Sequence, residues 1–87
     1  MKVLFHESAL TDYQSWATDD LKVFKKISGL IKEITRTPFT GTGKPEPLRG
    51  NLSGFWSRRI TDEHRLVYKV EQGMLIIAAC KFHYAAK

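Results

Sequence analysis

GTGKPEPLRGNLSGFWSRRITDEHRLVYKV, residues 41–70, is the stretch on which the reading of the fold turns. Gly41, Gly43, Pro45 and Pro47 punctuate its first third, which reads as a loop. Residues 55–60 and 65–70 then read as two strands, with Thr61, Asp62, Glu63 and His64 as turn residues between them. That pattern predicts a β-hairpin. Side-chain parity sorts it. Leu66, Tyr68 and Val70 share one face, with Trp56 and Ile60 as core candidates opposite them; Arg65, Val67 and Lys69 share the other with Ser57 and Arg59. Bringing the apolar sets together requires even-numbered residues opposite even-numbered ones, hence an odd-length turn or a bulge. This register sets Arg59 beside Arg65 on the open face. It leaves Arg58 on the covered face, from which it is expected to snorkel to an edge.

Working outward, residues 74–82 form a third strand candidate after the Gln72-Gly73 turn, apolar on both faces and therefore central. At the other end, residues 2–5 are a short apolar run read as a first strand. Ser8 is the expected N-cap of a first helix carrying Ala9, Tyr13, Trp16 and Ala17 and stopping near residues 18–20. Asp19 or Asp20 caps a second helix that runs to Arg36. Its apolar stripe is Leu21, Phe24, Ile27, Leu30, Ile31 and Ile34, with Lys22, Lys25, Lys26, Lys32 and Glu33 towards solvent. Pro38 ends it, because the residue before a proline avoids the α region. One strand, a helical hairpin and three consecutive strands predict an α+β domain: a mainly antiparallel sheet with the helices on one face. The lysines of the second helix read more simply as a solvated face than as a nucleic-acid patch.

Eighty-seven residues suffice for one compact core. Fourteen Lys and Arg against nine Asp and Glu give a net charge of +5, which favours a polyanionic partner, although solubility alone also accounts for it. Cys80 is the single cysteine, so an internal disulfide is excluded, and within its apolar run it reads as a small buried hydrophobe. No apolar run approaches the length of a membrane span, and the N-terminus lacks the features of a signal peptide, so a cytoplasmic protein is expected.

Several chemistries are excluded by spacing. Gly41-Thr42-Gly43-Lys44 is not a phosphate-binding P-loop, since the spacing is absent and Pro45 follows the lysine. His6, His64 and His83 are too scattered for a metal site, and no cofactor is expected. What remains is Pro45-Glu46-Pro47, a carboxylate on stiffened backbone among cations, which from spacing alone is most simply a rigid loop with an exposed Glu. Arg58, Arg59, Arg65 and Lys69 suit phosphate oxygens, a reading evenly balanced against cross-strand surface charge. His83 and Tyr84 follow the last strand, where a histidine can donate a proton and a tyrosine can stack on a base. A Glu, a set of Arg and a His are the minimum for metal-free RNA cleavage.

Residues 37–48, T-P-F-x-G-x-G-K-P-E-P-L, and 51–61, N-L-S-G-F-W-S-R-R-I-T, resemble the YoeB toxins, which belong to the RelE-like toxins of bacterial toxin–antitoxin modules. The likeness continues through E-H-R-L-V-Y (63–68) and I-A-A-C-x-x-H-Y (77–84), so it covers essentially residues 1–84 as one RelE-like domain, with 85–87 a short tail. The resemblance implies a ribosome-dependent endoribonuclease that cuts messenger RNA in the ribosomal A site. It implies a cognate YefM-like antitoxin as partner and a homodimer. Carried over by position, Glu46 is the general base, His83 the general acid and Arg65 the transition-state stabiliser, supported by Arg59. Lys44, Arg49 and Tyr84 are weaker candidates for positioning substrate. In the resembled family the chain ends at the His-Tyr pair; here Ala85-Ala86-Lys87 follows. A binding-only relative, either a basic RNA-binding module or a topoisomerase-inhibiting toxin, is the alternative; it would need the cations but not the carboxylate.

Overall fold

A computed structural model describes residues 1–82 of the chain. Their elements are β1 (Lys2–Phe5), α1 (Glu7–Asp19), α2 (Leu21–Arg36), β2 (Glu46–Pro47), β3 (Trp56–Arg59), β4 (Arg65–Glu71) and β5 (Met74–Ala79), with a short 3-10 turn at Gly50–Leu52. The strands make one five-stranded sheet in the order β1-β5-β4-β3-β2. β1 runs parallel to β5, and every other neighbouring pair is antiparallel. The helical pair covers one face, so the α+β expectation holds, with β5 and β4 in the interior of the sheet.

Local chemistry explains the helix ends. α1 begins at Glu7, not after a Ser8 cap: His6 is the N-cap residue, and its side chain makes no capping bond. The reason lies in the sheet. The His6 N–H still donates to the Ile77 carbonyl at 2.9 Å, so β5 holds the chain extended until the helix starts. Of the two cap candidates it is Asp20 that caps α2, its carboxylate accepting from the Val23 N–H at 3.4 Å. Ile27, Leu30, Ile31 and Ile34 turn inward, but Leu21 is 52% exposed at the first turn and Val23 is buried in its place. These residues pack with Ala9 and Trp16 of α1 against Ile60, Leu66, Tyr68, Leu75, Ile77 and Cys80. Full burial of a Leu or Ile such as Leu66 or Ile77 stabilises by about 1.5–3 kcal/mol.

The hairpin register is the one that parity predicts. Trp56 faces Tyr68, Arg58 faces Leu66, and Arg59 faces Arg65. A bulge where β4 meets β5 pairs Tyr68 with Ile77 but Val67 with Ala79, so Ala78 is the extra residue. It restores alternation such that Cys80 points into the core. There burial pushes the Cys80 thiol up to about 12.

The loop before the hairpin holds a correction. Glu46–Pro47 is not free loop but a fifth strand at the sheet edge, with Glu46 opposite Ser57 and Pro47 opposite Trp56. The prolines on either side of Glu46 hid it, because proline is a poor strand former. At an edge, however, proline's missing N–H can face outward, where it also blunts further strand pairing.

Candidate active site

Cross-strand partners project to the same side of a sheet, so the register gathers the candidate residues. Glu46 pairs with Ser57 and Ser57 with Val67; one step along, Arg59 pairs with Arg65. Glu46, Arg59 and Arg65 therefore share the face opposite the helices, over a floor of Ser57 and Val67, each 3% exposed. Standard strand spacing puts the Cα atoms of Glu46 and Arg65 about 12 Å apart, two strands over and two residues along. Side chains of that length can address one phosphodiester between them.

Arg65 is oriented by its own neighbourhood. Its NH1 donates to the carbonyls of Thr61, Asp62 and His64 at 2.8, 3.1 and 3.1 Å. All three bonds run through NH1, whereas a bidentate contact along the other edge of the fork uses Nε and NH2. Arg59 is exposed, and its backbone N–H donates to the Gly43 carbonyl at 2.7 Å, tying β3 to the loop that leads to Glu46. That loop passes very close. Gly43 has φ 86°, and a Cβ there would lie 3.0 Å from the Arg59 carbonyl oxygen. Glycine alone allows both the turn and the contact.

Arg58 corrects the expectation most sharply. It is fully buried, not snorkelled to an edge. All five of its N–H donors find acceptors: Nε on the Tyr68 hydroxyl at 3.2 Å, NH1 on Glu33 Oε2 at 3.0 Å and the Thr42 carbonyl at 3.1 Å, and NH2 on the carbonyls of Thr37 and Thr40 at 2.7 and 2.8 Å. It has no donor left for a phosphate. It is instead the centre around which the 37–44 loop is wound, and Tyr68 closes the network by donating to the Pro38 carbonyl at 2.7 Å.

Glu33, expected in solvent, turns towards this network. The backbone N–H of Thr42 donates to its carboxylate at 2.7 Å. That bond, joined by the Arg58 guanidinium, holds the Glu33 carboxyl below its usual range. Burial raises the Tyr68 phenol, against the pull of Arg58. A signal for Glu33 existed in the sequence: a single acid among the lysines of α2, with a covered-face arginine in need of a counter-charge.

The remaining candidates divide. Lys44, at φ 53°, and Arg49 are both exposed, on either side of Glu46. Lys69 is engaged elsewhere, with Glu71 at 2.8 Å and over the Phe55 ring at 4.9 Å. Phe55 is thus a partner for Lys69, while Trp56 packs on the core edge with Phe39 at 4.7 Å. His83 and Tyr84 lie outside the described residues. His64, read from sequence only as a turn residue, is buried beside Arg65.

Comparison with known proteins bears on this constellation. A family model described as "YoeB-like toxin of bacterial type II toxin-antitoxin system" matches residues 5–84. The protein named Toxin YoeB of Escherichia coli (strain K12) is 58% identical over 84 residues, covering 97% of this chain and all of that one. Among solved structures, the YoeB/ParE toxin from Agrobacterium tumefaciens superposes with TM-score 0.92 at 48% identity, covering 97% of this chain and 100% of that one. YoeB from Staphylococcus aureus matches over 97% of this chain and 98% of its own, both in a YoeB-YefM complex (TM-score 0.89, 45% identity) and as a dimer (0.90, 46%).

Proposed function

The chain belongs to the YoeB-like toxins of bacterial type II toxin–antitoxin systems, and from that membership we propose that it is a ribosome-dependent endoribonuclease cutting messenger RNA in the ribosomal A site. The observation that carries this reading is the gathering of Glu46, Arg59 and Arg65 on one sheet face across three neighbouring strands. A face that only bound a polyanion would have no use for the carboxylate.

In the proposed reaction the Glu46 carboxylate takes the proton of a ribose 2′-hydroxyl, and the 2′-oxygen attacks the adjacent phosphorus. The bond from phosphorus to the 5′-oxygen breaks, and His83 delivers a proton to that leaving oxygen. One strand ends in a 2′,3′-cyclic phosphate and the other in a 5′-hydroxyl. Arg65, its head group braced by the 61–64 turn, meets the charge that grows on the phosphorane, and Arg59 beside it adds to the same field. Lys44 and Arg49 contact flanking phosphates, and Tyr84 offers a ring on which a base stacks. The scheme uses no cofactor.

The relatives support the partners. Since YoeB of Staphylococcus aureus is solved with YefM and as a dimer, this chain is proposed to pair with a YefM-like antitoxin and with a second copy of itself. Its proposed substrate is messenger RNA on translating ribosomes, and that reading puts its activity in the cytoplasm. Among the described residues no helix is long and apolar enough to cross a membrane.

The test is cleavage of messenger RNA on programmed ribosomes by Glu46→Ala, Arg65→Ala and His83→Ala proteins. The Glu46 and His83 variants are expected to lose about 10²–10⁴-fold in kcat, the range that an acid–base group supplies, and the Arg65 variant about 10²–10³-fold, that of a lost charge-stabilising donor. Wild-type cleavage by the Glu46→Ala/His83→Ala double variant, or a product ending in a 3′-hydroxyl, would sink the mechanism. If wild-type protein left messenger RNA on ribosomes uncut and instead blocked DNA supercoiling, the topoisomerase-inhibiting alternative would take its place.

A further inference from the structure

One buried titratable side chain has no part in this scheme. His64 is 9% exposed, with its ring edge-on to Trp16 at 4.9 Å and tilted against Phe82 at 5.5 Å. The Phe82 N–H donates to its Nδ1 at 2.7 Å. Nδ1 is therefore the acceptor of the ring, and Nε2 lies 3.7 Å from Glu63 Oε1. The carbonyl of Phe82 is also held, accepting from the Arg65 N–H at 3.1 Å. Both backbone polar groups of residue 82 are thus fixed by two consecutive residues, His64 and Arg65.

The hold matters because Phe82 has φ 61°, a left-handed conformation that a residue with a side chain adopts only where its surroundings over-determine it. Other contacts brace the same segment. Trp16 Nε1 donates to the Cys80 carbonyl at 3.0 Å. The turn that carries His64 is itself stiff, because the Thr61 hydroxyl accepts from the N–H groups of Glu63 and His64 at 3.1 Å each. Arg65 NH1 grips three carbonyls of that turn. The residue that follows Phe82 in the chain is His83.

We infer that His64 is a positioning residue for the cleavage reaction: through Nδ1 it clamps the Phe82 backbone in its left-handed turn and so fixes where the chain enters residue 83. The inference rests on the reading of His83 as the general acid. It ties Phe82, the residue preceding that acid in the chain, to Arg65 through one turn. A packing role would make position 64 sensitive to ring volume, whereas a clamp makes it sensitive to an acceptor at the place of Nδ1. Asparagine puts its Oδ1 near that place; glutamine reaches to the place of Nε2.

The test compares His64→Asn, His64→Gln and His64→Leu with wild type at a temperature where melting curves show all four folded. The Phe82 amide hydrogen exchange is followed by NMR, and kcat and KM are measured for messenger RNA cleavage on ribosomes. His64→Asn should keep the amide protected and kcat near wild type. His64→Leu and His64→Gln should exchange faster and lose about ten- to a hundredfold in kcat at unchanged KM, the scale of a misplaced catalytic group. Equal kcat in all three variants overturns the clamp, as does a loss confined to KM, or an Asn variant as impaired as the Leu variant. His83→Ala, measured alongside, separates the two readings. If it cleaves normally, the acid assignment falls and the clamp's role with it. If it is inactive while His64→Leu frees the Phe82 amide yet keeps full kcat, the clamp alone falls.

Discussion

Two adjacent arginines of β3 should behave as opposites, and Arg58→Met is the perturbation that exposes the difference. Methionine keeps much of the length and the apolar stem but removes all five donors. Glu33 loses its ion pair, yet its side chain is 32% exposed and its carboxylate can rehydrate. The cost therefore falls mainly on the other acceptors, the carbonyls of Thr37, Thr40 and Thr42 and the Tyr68 hydroxyl. The Tyr68 hydroxyl keeps its bond to the Pro38 carbonyl, and leaving the three carbonyls unpaired at about 1 kcal/mol or more each costs about 3–5 kcal/mol. For a domain of this size each kcal/mol lowers Tm by about 4–8 °C, so a fall of roughly 12 °C or more is expected. Arg59→Met removes an exposed head group and should change stability by no more than about 0.5 kcal/mol, while slowing cleavage. Arg58→Lys, with a charge but fewer donors, should fall between wild type and Arg58→Met. The assay is urea and thermal unfolding followed by circular dichroism, together with cleavage on ribosomes. An Arg58→Met protein melting within about 2 °C of wild type would refute the view that Arg58 organises the 37–44 loop.

The Glu33 carboxyl is held below its ordinary value of 4.5 in the fold by the Thr42 N–H and Arg58. A depressed carboxyl contributes stability that is present above its unfolded value and lost as pH falls through the folded one. The stability gap between wild type and Glu33→Gln should therefore be full near neutrality and should narrow below about pH 4.5, as urea midpoints measured across that range would show. Cys80, fully buried with its thiol raised to about 12, should resist a thiol reagent in the native protein at pH 8 and react only on unfolding. Rapid labelling without denaturant would contradict that burial.

Much of the fold is legible in the chain because periodicity and turn chemistry are local. Most of the apolar spacing of α2, a cap at Asp19 or Asp20, the β3–β4 register and the interior place of β5 follow from patterns a few residues long. The misplacements share one cause. The start of α1 depends on Ile77, far along the chain, holding His6; β2 exists because β3 offers Glu46–Pro47 an edge. Neither partner is visible within a short window of sequence.

The candidate site divides along the same line. Residue types and parity alone bring Arg59 and Arg65 together and mark Glu46 as an unusual carboxylate, since alternation in a strand dictates which side chains share a face. What alternation cannot decide is which arginine meets substrate. Arg58 and Arg59 are the same side chain, one residue apart. Only when α2 brings Glu33 to the sheet and the 37–44 loop turns its carbonyls inward does one guanidinium have every donor filled and the other remain exposed. Local pattern in the chain accounts for the helical pair, the β3–β4 register and the charge of that hairpin's open face. Tertiary structure decided which charges serve the fold, because a buried ion is tolerated only where acceptors from distant segments converge on it.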